Sequence, residues 1–351
     1  MKRISLLLTV LLLLLLCGCS SQPDSPQLSP QYQPVEFPLP MLDGDDTSVL
    51  CCYADEKQTI LAVGCRNDAT TGPLYDTAYL CLYGQGEPQY IPVDTDAYII
   101  SALPWQDGVL YVDYAVNAQG TCDWTLTLQQ GDLRQLVSTG TASSYDQVPA
   151  LFLLNGSPVY LWQSDGCFGV NAVKNGAPAP IWQQTGTVRS LEQVRCNGSQ
   201  YCFVAAGSDG VTALYVGDAG GFRWKLPLEE DVAHLAINDT HAVCLTRESP
   251  ESQVYAAQVM ALDTGAQETF PLSQPLWRGA GSGHTLLAVD NDFRILAFDS
   301  ATGAVSQFPA PEEKSYQNWP VVFYPTDSDT YLAHFTMEQE PVFYRLTVAS
   351  S

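Results

Sequence analysis

A pair of turns that recurs about every 44 residues is the feature that most constrains the fold of this chain. One series of turns centres on Gln85, Gly131, Gly176, Gly220, Gly265 and Gly303. A second series, upstream in each repeat, centres on Glu56, Asp107, Asn155, Asn197, Asn238, Ser282 and Asp327. Short runs rich in Val, Leu, Tyr, Phe and Thr separate the turns. Two turns in each repeat predict four strands in each repeat, which is the plan of a β-propeller blade.

The number of repeats sets the expected number of blades. Seven upstream turns predict an all-β, seven-bladed β-propeller. Six or eight blades are the alternatives, because the repeat that ends at Gly303 is shorter than the others. No linker-like gap interrupts the repeats, so we expect residues 36–351 to form a single propeller domain.

The two ends of the chain are expected to share the last blade. Residues 342–348 have the pattern of a third strand, and the chain ends shortly after them. The segment 36–40 lies in VEFPLP, which is similar to fourth strands such as ETFPL at 268–272. We therefore expect 36–40 to pair with 342–348, so that an N-terminal strand closes the last blade. Closure of this kind removes two exposed sheet edges.

Two hairpins carry a family resemblance. DTGAQETFPL and DSATGAVSQFPA resemble the quinoprotein-like and YVTN repeats of bacterial propellers, which place Asp-x-x-Thr-Gly at this turn. The Trp-docking pattern of the quinone-dependent dehydrogenases is not visible, and we expect no cofactor. Among exported lipoproteins, the outer-membrane assembly factor with a propeller fold is similar in plan.

The N-terminus has the pattern of an export signal. Lys2 and Arg3 precede the apolar run 4–17, which is short for a membrane-spanning helix. Leu16-Cys17-Gly18-Cys19 resembles the bacterial lipobox. The resemblance implies that residues 1–18 are a signal peptide and that Cys19 is lipidated, which would anchor the protein to the extracytoplasmic face of the cell membrane.

The segment that follows is rich in Ser, Pro and Gln. This composition offers little apolar surface to bury, and it predicts that residues 19–35 form an extended tether between the lipid and the propeller.

The charge of the chain restricts its partners. The sequence has 38 acidic and 15 basic side chains, a formal net charge of −23. Nucleic acid is therefore excluded as a partner, and a cationic, peptide or carbohydrate ligand is expected. Nine cysteines remain beyond Cys17 and Cys19, mostly inside apolar runs. Cys196 and Cys202 flank a turn, so one disulfide or two free thiols are the alternatives there. The four histidines are scattered, and no metal site is expected.

The acidic side chains concentrate at one end of the predicted blades. In a propeller, the loops between blades and the loops joining second to third strands share one face. Most of the acids fall in these loops, with Arg66, Arg247 and Lys314 as the few nearby bases. We expect a binding face there, with these candidate residues: Asp96, Tyr145, Asp146, Asp231, Trp277, Tyr316 and Trp319.

Known catalytic motifs are not visible. The sequence has no GxSxG, no HExxH and no phosphate loop. The favoured hypothesis is a monomeric, membrane-tethered binding or scaffold protein without chemistry of its own. A glycan-active hydrolase or lyase with carboxylates in the central pocket is one alternative. An envelope assembly factor that offers blade edges to partner strands is the other.

Overall fold

The structure, a computed structural model, describes residues 28–40, 47–66, 74–84, 86–311, 321–327, 329–336 and 341–350. The predicted signal peptide, Cys19, Tyr316 and Trp319 lie outside these residues. Within them, the chain forms strands throughout, with two short 3₁₀ segments. No helix in this part of the chain is long and apolar enough to cross a membrane.

The strands follow one another in groups of four, here called units 1 to 7. Unit 1 contains β2 (Thr47–Ala54), β3 (Thr59–Arg66), β4 (Tyr75–Tyr83) and β5 (Gln89–Pro92). Unit 2 contains β6 (Tyr98–Trp105), β7 (Gly108–Val116), β8 (Cys122–Gln130) and β9 (Leu133–Ala142). Unit 3 contains β10 (Ala150–Leu154), β11 (Ser157–Ser164), β12 (Cys167–Lys174) and β13 (Ala177–Val188). Unit 4 contains β14 (Arg195–Cys196), β15 (Gln200–Gly207), β16 (Thr212–Asp218) and β17 (Gly221–Pro227).

The remaining units complete the chain. Unit 5 contains β18 (Asp231–Ile237), β19 (His241–Arg247), β20 (Ala256–Ala261) and β21 (Gln267–Pro271). Unit 6 contains β22 (Trp277–Ser282), β23 (Thr285–Val289), β24 (Ile295–Asp299) and β25 (Val305–Gln307). Unit 7 contains β26 (Val321–Asp327), β27 (Thr330–Thr336), β28 (Pro341–Ser350) and the N-terminal β1 (Leu28–Val35). The 3₁₀ segments are η1 (Tyr145–Gln147) and η2 (Leu191–Gln193).

The strands pair antiparallel and in chain order inside each unit. Among the described strands there are five four-stranded sheets and one of eight strands, in which the end of β13 pairs with β15 of the next unit. The first strand of each unit contacts the first strand of the next, and the contact between β26 and β2 closes the circle. The all-β propeller fold is confirmed. The count of seven blades stays our interpretation, because units 3 and 4 share one hydrogen-bonded sheet.

The predicted turns lie between the strands as expected, except that Gln85, the centre of one of them, lies outside the described residues. The Asn-Gly turn of unit 3 has positive φ at both residues, 50° at Asn155 and 71° at Gly156, as a tight hairpin of this type requires. In units 1 to 6, the turns joining first to second and third to fourth strands lie at one end of the strands, as does the turn between β26 and β27 of unit 7; this end is here called the turn face. The connections between units and those joining second to third strands lie at the other end, here called the loop face.

The strand that closes unit 7 is not the predicted one. β1 pairs with β28 from Leu28 opposite Ser350 to Val35 opposite Phe343, so residues 28–35 are strand and not tether. The prediction that 36–40 forms this strand is wrong. The prolines of β1 explain the error: they are typical of a tether, yet an edge strand tolerates them, since a missing N–H can face outward. β1 is the outermost strand of its sheet.

The segment 36–40 instead joins unit 7 to unit 1. Phe37 packs against Phe343 at 5.0 Å between ring centroids and against Tyr83 at 4.7 Å. The carbonyl oxygen of Pro38 accepts hydrogen bonds from the hydroxyls of Tyr83, at 3.0 Å, and Tyr90, at 2.6 Å. Closure by the N-terminal segment is thus confirmed, with the strand placed eight residues earlier than predicted.

The apolar core lies between the faces of successive units. Leu214 and Val216 of unit 4 belong to the same buried cluster as Leu235 and Ile237 of unit 5. Equivalent clusters join the other units, so each sheet contributes side chains to two interfaces. Burial of apolar area on both faces of every sheet is the main stabilising contribution in such a fold.

The cysteines belong to this core. All nine in the described part of the chain are free thiols. Cys196 lies opposite Tyr201 and Cys202 lies opposite Arg195 on the hairpin that joins β14 to β15, so the two cysteines do not face each other. The disulfide alternative is therefore wrong. Burial raises the pKa of the Cys196 thiol to about 12, so that it stays protonated.

Candidate binding face

A cluster of tyrosines occupies the loop face at units 1 and 2. Tyr98, the first residue of β6, lies opposite Tyr114 of β7, and their rings stack with centroids 5.1 Å apart. The buried Tyr75 meets the edge of Tyr98 at 6.3 Å. Burial, followed by the neighbouring Cys122 and tyrosines including Tyr145, raises the pKa of Tyr114 to about 12. The Tyr114 phenol therefore stays neutral at physiological pH.

Tyr145 is the exposed member of this cluster. It begins η1, in the connection between units 2 and 3, and 59% of its surface is accessible. Val116, at the end of β7, is equally exposed. Two large apolar side chains in solvent at one end of a unit form a surface that burial against a partner would stabilise. Sequence reasoning found Tyr145 but missed the Tyr98–Tyr114 pair.

Two of the predicted acidic residues border the tyrosines. Asp96 is exposed, and its amide donates to the carboxylate of Asp94 at 3.0 Å. The loop that carries both is held by the amide of Tyr75, which donates to the carbonyl of Thr95 at 3.1 Å. Asp146 of η1 is half-buried and accepts the hydroxyl of Ser144. Their use as ligand contacts stays a prediction.

A glutamine side chain connects the tyrosines to the next cluster. Gln147, the last residue of η1, donates its amide N–H groups to the carbonyls of Val188, at 3.3 Å, and Arg189, at 3.1 Å. The segment that presents Tyr145 is therefore fixed to the segment that presents Arg189. Gln147 Oε1 is buried and has no hydrogen-bond partner in the part of the chain that the structure describes.

Two arginines share one carboxylate at this position. Arg189 Nη2 donates to Asp231 Oδ1, and Arg247 Nε donates to Asp231 Oδ2 at 2.6 Å. Asp231 and Arg247 lie opposite each other on the first hairpin of unit 5. The carboxylate of Asp231, a predicted residue of the binding face, is thus engaged twice, and the three side chains together carry an excess positive charge.

The expectation that this face has few bases is corrected by the structure. Arg189 lies in the connection between units 3 and 4, and Arg294 lies between β23 and β24, where it pairs with Asp290 at 2.6 Å. Neither was counted with Arg247 among the bases near the predicted acidic face. Lys314 lies outside the described residues. The loop face therefore combines acidic loops with a local arginine cluster.

Trp277, another predicted site residue, is held by its own neighbours. It begins β22, its ring meets the edge of His234 at 5.4 Å, and its indole N–H donates to Asn291. The indole is half-buried in the interface between units 5 and 6. This placement gives it a packing role on the loop face.

A cleft of about 400 Å³ lies between units 4 and 5. Its lining includes Glu229, Glu230 and Glu268. Burial acts to raise the pKa of Glu230, but hydrogen bonds from Tyr255, Thr246 and Gln258 outweigh burial and lower it. Glu230 is therefore ionised at neutral pH and is unsuited to the general-acid role that a glycosidase requires.

The carboxyl groups with raised pKa values lie elsewhere. Burial raises the pKa of Asp113 on β7, which accepts a hydrogen bond from Thr125. On the turn face, a hydrogen bond and charge repulsion from Asp327 raise the pKa of Glu56. Among the described residues, no group of three His, Cys, Asp or Glu side chains is arranged to hold a metal ion.

Comparison with known proteins places the fold. No protein-family model and no curated protein sequence matches the chain. Among solved structures, YCF48 bound to D1 peptide is similar at 13% identity and a TM-score of 0.51, covering 93% of this chain and 97% of that one. BamB from Moraxella catarrhalis is similar at 12% identity and a TM-score of 0.50, covering 84% of each chain. At these identities the likeness supports the propeller fold alone.

Proposed function

We propose that this protein is a membrane-tethered, extracytoplasmic binding module whose loop face captures a peptide segment of a partner protein. One observation carries the proposal: the exposed Tyr145 lies near the stacked Tyr98–Tyr114 pair, and its segment is fixed by Gln147 to Arg189. Aromatic contact area, carboxylates and guanidinium groups thus lie along one continuous path. This combination of side chains is suited to recognition of a peptide.

The chemistry of the tyrosines supports a peptide ligand. Tyrosine offers a large, rigid contact area at a low cost in side-chain entropy, and its hydroxyl can pair with backbone groups of a partner. Asp96 and Asp146 beside the rings favour a basic side chain there, which can also stack on a tyrosine face. A peptide can make such contacts in series, at successive residues.

A solved structure of similar fold supports the same class of ligand. YCF48 is bound to a peptide in its structure, so a propeller of this plan can hold one.

The tether belongs to the proposal as well. Lipidation of Cys19 would hold the propeller near the membrane, where extracytoplasmic segments of other envelope proteins are concentrated. Cys19→Ala should abolish incorporation of labelled palmitate and release the protein from the membrane fraction. Retention of the label by the Cys19→Ala variant would refute the assignment of the anchor.

Binding itself is tested with arrays of synthetic peptides. An array of 15-residue peptides is probed with the protein and with Tyr145→Ala. We expect the peptides captured by the protein to lose about tenfold or more in affinity for Tyr145→Ala, since centrally placed aromatic residues carry much of the binding energy of an interface. Leu133→Ala is the matched control, because Leu133 is 74% exposed but lies on the turn face. Equal effects of the two substitutions would refute the proposed face.

A further inference from the structure

The arginine cluster has more donors than its carboxylate can use. A guanidinium has five N–H groups, and the carboxylate of Asp231 occupies one of Arg189 and one of Arg247. Two cations on one anion leave one positive charge uncompensated within the cluster. An excess of positive charge is unexpected in a chain with 38 acidic and 15 basic side chains, and it indicates that the cluster binds an anion. We propose that Arg189 and Arg247 form a site for a carboxylate of the bound peptide, an inference that rests on the proposed function.

Burial makes this excess charge significant. The side chains of Arg247 and Asp231 are each 17% exposed, and that of Arg189 is 34% exposed. Charges this far removed from water are stabilised by further partners, and a guanidinium binds a carboxylate through two parallel hydrogen bonds when its geometry allows. Arg189 is the more accessible of the two and is the group that an incoming anion meets first.

An unpartnered hydroxyl lies next to Arg189 in the chain. Ser190 is 8% exposed, and its Oγ has no hydrogen-bond partner among the residues the structure describes. Buried polar atoms are normally paired, so an unpartnered hydroxyl on the residue that follows Arg189 points to a ligand or an ordered water. A carboxylate oxygen would accept from this hydroxyl.

The surroundings favour a carboxylate over a phosphate. Further carboxylates lie close by in the chain. Glu229 and Glu230 immediately precede Asp231, and Asp146 immediately precedes Gln147 in η1. This negative environment opposes a dianion about twice as strongly as a monoanion, by Coulomb's law. A carboxylate carries a single charge and matches the planar arginine fork.

The path from Arg189 back to Tyr145 explains why a peptide would bring the carboxylate. Gln147 holds the two segments together, so residues next to the ligand's carboxylate would lie over the tyrosines. The carboxylate comes either from the ligand's C-terminus or from an Asp or Glu side chain. Both sources share the same chemistry and are separated by experiment.

The site is tested directly with small probes. The Nε–Hε signals of Arg189 and Arg247, assigned with Arg→Lys variants, are followed by NMR while N-acetylglycine is added to the protein. We expect both signals to shift with saturation, and N-acetylglycinamide, which lacks the carboxylate, to have no effect. Arg189→Lys and Ser190→Ala should each weaken the probe about tenfold. Arg223, which pairs with Asp218 at 3.3 Å on the turn face, is the matched control signal.

Three results would overturn the carboxylate site. They are the absence of a shift at both arginines, an equal response to the amide probe, and an equal response at Arg223. Because Arg189→Lys keeps the charge, its ion pair with Asp231 remains available and the fold is expected to persist. If a variant unfolded, the titration of the wild-type arginine signals would still test the carboxylate site.

The peptide arrays separate the failure of this inference from that of the proposed function. Captured peptides are resynthesised with a C-terminal amide, or with each Asp and Glu replaced by Asn or Gln. Loss of binding on amidation identifies the C-terminus as the source, and loss on side-chain replacement identifies an acidic residue. Tyr145-dependent binding that survives both changes would refute the carboxylate site and leave the proposed function standing. Arrays without any captured peptide would refute the proposed function, and the NMR titration would still decide on the anion site.

Discussion

Tyr98 lies opposite Tyr114 only because the strand that carries Tyr98 contains a bulge. The register of β6 and β7 shifts between Ile99 and Ser101, so Ile100 is the extra residue. Continued without the bulge, the pairing from the turn would place Tyr98 opposite Ala115. Bulges re-aim side chains at the ends of sheets, and this one brings the two rings into a stack at 5.1 Å.

This pair should be coupled in stability. In a double-mutant cycle, Tyr98→Ala and Tyr114→Ala should show an interaction energy of about 1 kcal/mol, since stacked aromatic pairs contribute this much beyond their burial. Urea unfolding of the four proteins measures it. A cycle between Tyr98→Ala and Tyr215→Ala of unit 4 is the control and should be additive. A coupling of zero between Tyr98 and Tyr114 would show that the rings do not depend on each other.

A β-bulge also explains why the arginine cluster could not be predicted from the sequence. The register of β18 and β19 shifts between Val232 and His234, which places Asp231 opposite Arg247. Counting from the Asn238 turn alone would place Asp231 opposite Glu248. The turns themselves were predictable, because tight hairpins require positive φ and Asn-Gly pairs adopt it readily. A bulge of one residue leaves no comparable signal in the sequence, and contacts beyond it could not be assigned.

The closing strand was missed for a different physical reason. Prolines at positions 30 and 34 and the many polar residues of 28–35 are typical of a solvated tether. Their strand is stabilised by its position, since β1 lies at the edge of unit 7 and Tyr32 packs against Tyr344 at 5.8 Å. The Tyr32 hydroxyl also donates, at 2.9 Å, to the carbonyl of Pro309 in the segment that follows unit 6. Long-range contacts of this kind override local composition.

Truncation separates the two assignments of this strand. A chain that begins at residue 28 keeps β1, and it should melt cooperatively as a monomer. A chain that begins at residue 36 exposes the edge of β28, and it should aggregate or lose its cooperative transition, because an unpaired edge invites association. Size-exclusion chromatography with light scattering and thermal melting measure both. If the shorter chain behaved like the longer one, 36–40 rather than 28–35 would be the closing strand.

His334 should make the protein less stable in mild acid. Its side chain is 7% exposed and stacks on Phe343 at 4.7 Å, and burial lowers its pKa from 6.5 to about 4. Between these values the unfolded chain binds the proton and the folded chain does not, so stability falls as pH decreases from 6.5 to about 4. Titration of His334 over this range lowers the free energy of unfolding by about 3 kcal/mol.

A phenylalanine at this position tests the pH dependence. His334→Phe should flatten the dependence of the urea midpoint between pH 6.5 and pH 4, because the ring no longer titrates. Phe343→Leu is the control: it weakens the stack at every pH and leaves the slope in place. An unchanged slope in His334→Phe would mean that other groups dominate the acid sensitivity.

Glu56 should have the opposite pH dependence. Its hydrogen bond to Asp327 and the charge of that residue raise its pKa above 4.5, so the folded chain binds a proton that the unfolded chain has released. This contribution is fully present below pH 4.5 and is lost as pH rises through the raised value. Glu56→Gln keeps a donor and removes the charge, and it should therefore raise the melting temperature at pH 7. The advantage should disappear near pH 4, where Glu56 of the wild-type protein is protonated.

Asp107→Asn, in the equivalent turn of unit 2, is the matched control for removing one exposed negative charge. If both substitutions raised the melting temperature equally, relief of the overall negative charge would be the cause, and the contact between Glu56 and Asp327 would contribute nothing specific.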